Sequence, residues 1–382
     1  MKAINVGYFK SRVRSFVALF VAAFVFCALF APFYASALPS SELGLSAESA
    51  ILIDADDKSV IYQRHAHRKM GMASTTKIMT ALVALELLPF DKIISIPREA
   101  VGIEGSSVYL CEGELLSVEQ LLYALMLASA NDAATALAIA ASGSVEAFAK
   151  EMNRKAHELG LENTNFTNPH GLYSEEHYTT AYDLAMISAA ALGSDTLREI
   201  VATKKTTIPQ GVTRECPEGN TLRYLYNHNK MLSLYDGAIG LKTGFTRDTG
   251  RCLVSAAKRD GLTLIAITLN APDDWNDHTR MLDYGYSLYE RVTLFGAGDF
   301  SYQYAVAGGC EDYVTLTNSS PISLTLPKKR ADARAEISAF QHFEFAPIAR
   351  GERLAYLTVS VGEKSAGSPL IAAYKVDKKR QT

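Results

Sequence analysis

The sequence predicts an α+β domain followed by a small all-β domain. Three observations predict it: strand-like apolar runs at both ends of a long stretch, helical spacing of apolar residues within that stretch, and short β runs broken by Gly and Pro beyond about residue 296. A length of 382 residues agrees, because single cores rarely grow past roughly 250 to 300 residues. The expected units are a leader at residues 1–37, a first domain at 38–295 and a β-rich domain at 296–382.

In the leader, Lys2, Lys10, Arg12 and Arg14 precede an apolar run from Phe16 to Phe30, followed by Pro32 and Ala35-Ser36-Ala37. Positive flank, apolar centre and an A-x-A site describe a signal peptide cleaved after Ala37. A retained anchor is the alternative reading, with the run near the lower limit of about 17 residues for spanning a bilayer. Either way the remainder is expected outside the cytoplasm. Export permits disulfides among Cys111, Cys216, Cys252 and Cys310, with Cys27 removed alongside the leader. No C-x-x-C spacing occurs, so bridges and buried free thiols both stay open.

From Ala50 the chain alternates over Ile51-Leu52-Ile53-Asp54, turns at Ala55-Asp56-Asp57-Lys58 and resumes at Ser59-Val60-Ile61-Tyr62, the pattern of a β-hairpin. Thr76 to Leu87, Ser117 to Leu127, Asp132 to Ala141, Val145 to Leu159 and Thr180 to Leu192 carry apolar residues at helical spacing. Strand character returns at Ala238 to Leu241, Cys252 to Ala256 and Leu262 to Leu269, and Asp260-Gly261 marks a hairpin turn between the last two. The β runs of the second domain are Tyr313 to Thr317, Ile322 to Leu326, Leu354 to Val361 and Leu370 to Val376. The end at Lys378-Lys379-Arg380-Gln381-Thr382 shows no amphipathic anchor. A net charge of -3 leaves no basic surplus for a nucleic-acid footprint.

Three short patterns carry chemistry. Ser74-Thr75-Thr76-Lys77 opens the most apolar helix, and a spacing of three puts Ser74 and Lys77 on one helical face. A serine hydroxyl needs a base to become a nucleophile, and an amine serves only when neutral, toward which burial and the positive helix N-terminus both push it. Alone, the pattern is weak evidence, because an N-cap serine followed by an exposed lysine is the commoner cause of this spacing. Ser129-Ala130-Asn131 joins two apolar helices, where Ser129 can pass a proton to a leaving amine and Asn131 can hold Lys77 and a substrate carbonyl. A polar helix-helix turn gives the same residues. Lys242-Thr243-Gly244 ends the strand begun at Ala238; a glycine there lets an extended peptide lie alongside, with Lys242 and Thr243 as donors to its carboxylate. An ordinary strand end with a turn glycine is the bland reading.

The three patterns follow one another about 55 and 110 residues apart on the elements each requires. S-x-x-K, S-x-N and K-T-G are shared by penicillin-binding proteins and serine β-lactamases. The wording Ala73-Ser74-Thr75-Thr76-Lys77-Ile78-Met79-Thr80, Ala128-Ser129-Ala130-Asn131-Asp132-Ala133, Asn168-Pro169-His170-Gly171-Leu172 and Gly240-Leu241-Lys242-Thr243-Gly244-Phe245-Thr246 closely resembles the D-alanyl-D-alanine carboxypeptidases, the low-molecular-weight penicillin-binding proteins of peptidase family S11. The resemblance runs from about Glu48 to the end.

The resemblance implies a penicillin-binding-protein/β-lactamase-like transpeptidase domain, an antiparallel sheet with flanking and inserted helices, and a small all-β domain behind it. It implies catalysis by Ser74, Lys77, Ser129 and Asn131, substrate binding by Lys242, Thr243, Gly244 and Phe245, and an oxyanion hole from the amides of Ser74 and Phe245. The partner implied is a peptidoglycan stem peptide ending in D-Ala-D-Ala, with β-lactams as mimics and no metal or organic cofactor; the charge balance argues for no nucleic acid, and in contrast to many relatives, which carry an amphipathic tail, membrane contact is expected only through a retained leader. Better-known members carry an arginine where this chain reads Ala271-Pro272-Asp273-Asp274-Trp275-Asn276-Asp277-His278, and Arg251 is the substitute at hand. His170 and His177 lack an H-E-x-x-H or convergent cluster, so no metal site is expected. The rivals are a serine β-lactamase, for which no water-activating glutamate is identifiable, and a non-catalytic wall-binding protein, against which the intact motif residues speak.

Overall fold

Alternating and continuous apolar runs build the cores of the computed structural model, which describes residues 43–211, 221–328, 333–339 and 341–379. The expected leader, with Cys27, and also Cys216 lie outside the described residues. The chain divides into two compact units, the first reaching from Glu42 to Leu288 and the second beginning at Tyr289.

The first unit is α+β. Its five-stranded antiparallel sheet runs β1 (Ser49–Asp54), β2 (Val60–Arg64), β7 (Ala238–Thr246), β8 (Gly250–Arg259) and β9 (Leu262–Leu269) in the spatial order β2-β1-β9-β8-β7. The β8–β9 turn is Asp260-Gly261, both residues with positive φ, as the hairpin signal requires. β1 is buried at all six positions, so both sheet faces are covered there. Helices α5 (Ala181–Leu192) and α8 (Asp274–Leu288) pack on β9 and β1.

Helix α1 (Lys77–Leu87) is buried along its first eight residues, the signature of a helix inside a core rather than on it. It is surrounded by α2 (Val118–Leu127), α3 (Asn131–Ser142), α4 (Val145–Glu158) and α5. Ser117 closes a capping box on α2 with Gln120, Ser144 caps α4 and Thr180 caps α5, fixing the starts of three of these helices. Two small hairpins complete the unit: β3 (Ile93–Ser95) with β4 (Leu115–Ser117), and β5 (Lys205–Pro209) with β6 (Leu222–Tyr226). The short helices α6 (Asp195–Ala202) and α7 (Met231–Leu234) lie against β7. Among the described residues no helix is long and apolar enough to cross a membrane.

The second unit is all-β. Strand β10 (Tyr289–Phe295) pairs with β13 (Ile322–Pro327), so the β-rich part starts before the residue 296 expected from composition. Tyr289–Phe295 has half-buried residues on both faces and no clean alternation, which hid it. A six-stranded sheet is formed by β11 (Ser301–Ala307), β12 (Tyr313–Asn318), β14 (Ala333–Ala339), β15 (Phe343–Phe345), β16 (Arg353–Val361) and β17 (Lys364–Ala372), in the order β14-β16-β17-β12-β11-β15. Val314, Leu316, Leu357, Val359 and Leu370 form its core.

Candidate active site

Ser74 lies on a 3-10 turn, Ala73–Thr76, that runs directly into α1. Ala73 has φ +46, a left-handed conformation that costs an alanine about 1–2 kcal/mol and persists only where its surroundings impose it. The carbonyl of Ala73 accepts from Thr76 Oγ1 at 2.8 Å, and Thr76 Oγ1 meets His177 Nε2 at 2.8 Å. Because the Thr167 amide donates to His177 Nδ1 at 3.0 Å, the ring proton is on Nε2 and donates to Thr76. A chain of three hydrogen bonds thus holds the turn that bears Ser74.

Lys77 is fully buried, and its Nζ is within hydrogen-bond reach of Ser74 Oγ (2.9 Å), Asn131 Oδ1 (2.7 Å) and the carbonyl of His170 (2.6 Å). The Asn131 amide is oriented by its Nδ2, which donates to the carbonyl of Glu104 at 2.5 Å. Burial holds the Lys77 pKa well below that of a free lysine; the charge of Lys242 pushes the same way and that of Asp132 opposes it. The Asn168 side chain accepts from the Gly171 amide at 2.7 Å and donates to the Leu172 carbonyl at 3.0 Å. The loop it closes turns the carbonyl of His170 onto Lys77 and that of Pro169 onto Thr80 Oγ1, 2.6 Å away.

Strand β7 is the sheet edge that borders Ser74. A Cβ added at Gly244 would come within 2.9 Å of the Ser74 amide nitrogen and 3.1 Å of that of Thr75, so only glycine lets the strand approach the nucleophile this closely. The third motif lies inside β7 rather than at a strand end, since pairing with β8 continues to Thr246. Lys242 is buried, pushed down to about 7 by desolvation, with Nζ 3.0 Å from the carbonyl of Thr243. Thr243 is half-buried and the Phe245 ring is 63% exposed beside the site. Ser129 is buried at the α2–α3 junction with φ +60.

The structure therefore brings Lys77 into direct contact with both Ser74 and Asn131, with Gly244 against the Ser74 turn and Lys242 near enough to depress Lys77. Sequence reasoning missed the carbonyl of His170, which no side-chain pattern encodes, and the roles of Asp132 and the Glu104 carbonyl. It could have found Asp132, an acid beside Asn131 at the start of a helix whose next residues are apolar. Arg251, the substitute expected for a carboxylate-binding arginine, pairs with Asp274 at 2.9 Å and lies over the Trp275 ring. Cys111 is disulfide-bonded, whereas Cys252 and Cys310 are free, one buried and one exposed.

Fold and site together have the form of an active-site-serine acyl-transfer domain, with a lysine one turn after the serine and a sheet edge alongside. Comparison with known proteins narrows this. Residues 36–273 match the D-alanyl-D-alanine carboxypeptidase family and residues 289–378 the C-terminal domain of penicillin-binding protein 5. The chain is 35% identical to the D-alanyl-D-alanine carboxypeptidase DacF of Bacillus subtilis, over 87% of this chain and 86% of that protein. It is 30% identical to DacC of Escherichia coli, over 87% and 85% respectively. Among solved structures, penicillin-binding protein 5 of Haemophilus influenzae superposes with a TM-score of 0.68 at 25% identity, covering 87% of this chain and 98% of that one. The chain belongs to the D-alanyl-D-alanine carboxypeptidase family of serine peptidases.

Proposed function

We propose that this enzyme cleaves the terminal D-Ala-D-Ala bond of peptidoglycan stem peptides through an acyl-enzyme on Ser74. The observation that carries this is the set of acceptors around Lys77. A neutral amine has two hydrogens and one lone pair; Asn131 Oδ1 and the His170 carbonyl can only accept, so they take the two hydrogens and leave the lone pair facing Ser74 Oγ. Burial favours that neutral form. Lys77 then takes the Ser74 proton as Oγ bonds to the peptide carbonyl carbon.

The developing oxyanion is received by the amides of Ser74 and Phe245, the latter next in the chain to Gly244, which packs against the Ser74 turn. Ser129 passes the proton taken up by Lys77 on to the departing amine as the C–N bond breaks, and D-alanine leaves. Lys242 and Thr243 hold the substrate carboxylate, and the substrate backbone lies as an added strand along β7, the edge strand of the sheet among the described residues. Water hydrolyses the ester, returning Ser74 and the shortened peptide. β-Lactams acylate Ser74 by the same attack. A leader at residues 1–37 that exports the protein, cleaved or retained as a tether, accords with an extracytoplasmic wall substrate.

Incubation with a fluorescent penicillin, a D-Ala-D-Ala pentapeptide and a chromogenic cephalosporin tests the proposal. The expected result is a covalent adduct and D-alanine release, both lost in Ser74→Ala, with slow cephalosporin turnover. Rapid turnover of the cephalosporin alone identifies a β-lactamase instead, and no Ser74-dependent adduct identifies a non-catalytic wall-binding protein.

A further inference from the structure

Residues Glu104–Cys111 form no regular structure, and only Val108, Leu110 and Cys111 are buried in this run. Yet its backbone orients Asn131: the Glu104 carbonyl takes the Asn131 Nδ2 hydrogen, and the Ser106 carbonyl takes the Asn131 amide at 2.7 Å. A segment without its own ladder must be held by side chains. From one flank the buried carboxylate of Asp132 accepts from Ser107 Oγ (2.6 Å) and from the amides of Val108 (3.1 Å) and Leu110 (3.0 Å).

The other flank is held from far away in sequence. On β6 the side chains alternate, so Leu222, Tyr224 and Tyr226 face solvent while Arg223 and Leu225 face inward. Arg223 forms a two-pronged pair with Glu114, Nη1 to Oε1 at 2.5 Å and Nη2 to Oε2 at 2.8 Å, both side chains nearly or fully buried. Arg223 Nη2 also donates to the Tyr109 carbonyl at 3.0 Å, and Glu114 accepts from the Cys111 amide at 3.2 Å and the Gly211 amide at 2.9 Å. Tyr109 is held at φ +55 with its ring in solvent, so what the segment contributes at this residue is its carbonyl.

We propose that the Glu114–Arg223 pair is a positioning element of the acylation site, fixing the segment Glu104–Cys111 so that its backbone turns the Asn131 amide oxygen toward Lys77. Neither residue touches Ser74 or Lys77; they act through Tyr109, Cys111 and the carbonyls of Glu104 and Ser106. A buried ion pair is a poor source of net stability but fixes geometry through its fork of donors. The consequence for catalysis rests on the function proposed above.

Single removal of either partner strands a buried charge and threatens folding, so the test uses Glu114→Gln/Arg223→Met, which removes both charges, beside Arg223→Lys. Circular dichroism establishes that each is folded at the assay temperature. In the double variant kcat for D-alanine release should fall on the order of 10- to 100-fold, with KM changed far less, and the amides of Val108, Leu110 and Asn131 should exchange hydrogen faster. Arg223→Lys, which keeps charge but loses the fork, should fall between. A folded double variant with wild-type kcat and unchanged exchange at those amides overturns the proposal. Absence of a Ser74 adduct in the wild type would instead sink the functional reading, and the exchange measurement would still decide whether the pair holds the segment.

Discussion

The backbone carbonyl of His170 lies 2.6 Å from Lys77 Nζ, closer than the Ser74 hydroxyl at 2.9 Å. An acceptor that cannot donate, so near the amine, fixes where one of its hydrogens points. Around this amine stand Lys242 and Asp132, with the neutral rings of His170 and His177, whose pKa values burial and the lysine charge lower to about 3 and about 4.

Two lysines with opposite needs follow from this. In the proposed reaction Lys77 must be neutral to take a proton, whereas Lys242 must be charged to hold a carboxylate. The rate should therefore rise with pH as Lys77 deprotonates and fall above about 7 as Lys242 does. The kcat/KM profile of the free enzyme should be bell-shaped, and Lys242→Arg, which cannot deprotonate in this range, should remove the alkaline limb. An unchanged alkaline limb in that variant would exclude Lys242 as its source.

Gly244→Ala tests the contact between strand and nucleophile. The new methyl meets backbone nitrogens of Ser74 and Thr75 and Cβ of Ala73 at 2.9–3.1 Å, none of which can swing aside. Either β7 or the 3-10 turn moves, with a stability loss of about 1–3 kcal/mol. Acylation by penicillin should slow about 100-fold, since a shift of this size misplaces the oxyanion donors. Wild-type acylation would show that the strand edge takes no part.

The contacts that the structure shows among Ser74, Lys77, Asn131 and Gly244 were legible in the sequence because these residues sit in short patterns of fixed spacing. The α1 helix and the β8–β9 hairpin were legible for the same reason, since period and turn chemistry agree there, whereas β1, a strand expected to alternate, is buried at every position. What remained hidden is supplied by backbone. The His170 carbonyl reaches Lys77 only because Asn168 closes its loop, and Ala73 and Ser129 hold positive φ that their residue types do not announce. Strands β14 and β15 escaped notice too. Ala333–Ala339 mixes charged and small residues and Phe343–Phe345 has only three positions, too few for a period.

His177 makes acid stability a second reporter on the site. Its folded pKa of about 4 lies below the ordinary 6.5, so the unfolded chain binds its proton first as pH falls. Stability contributed above pH 6.5 is lost between 6.5 and 4, by about 3 kcal/mol from this ring. His177→Asn should lower stability at neutral pH, because Thr76 or Thr167 loses a partner, but flatten the decline across that window. Urea melts from pH 4 to 7 measure it, and a decline as steep as in the wild type would assign the acid sensitivity elsewhere.

Asn131→Asp separates aiming from charge at the base. The side chain keeps an oxygen near Lys77, where the wild-type distance is 2.7 Å, but adds a negative charge, and such a neighbour raises a lysine pKa by about 1–3 units. The acid limb of the acylation profile should move up by that amount, since a higher pH is then needed to free the amine. Loss of the Nδ2 hydrogen to the Glu104 carbonyl should lower the plateau as well. Asn131→Ala removes the acceptor without adding charge, so its limb should move to lower pH while its plateau falls about 100-fold, because nothing then directs the second amine hydrogen away from Ser74. The two variants thus shift the limb in opposite directions at similarly reduced rates. A common direction of shift would mean that Lys77 is not the group titrating on that limb, and that Asn131 acts on the substrate alone.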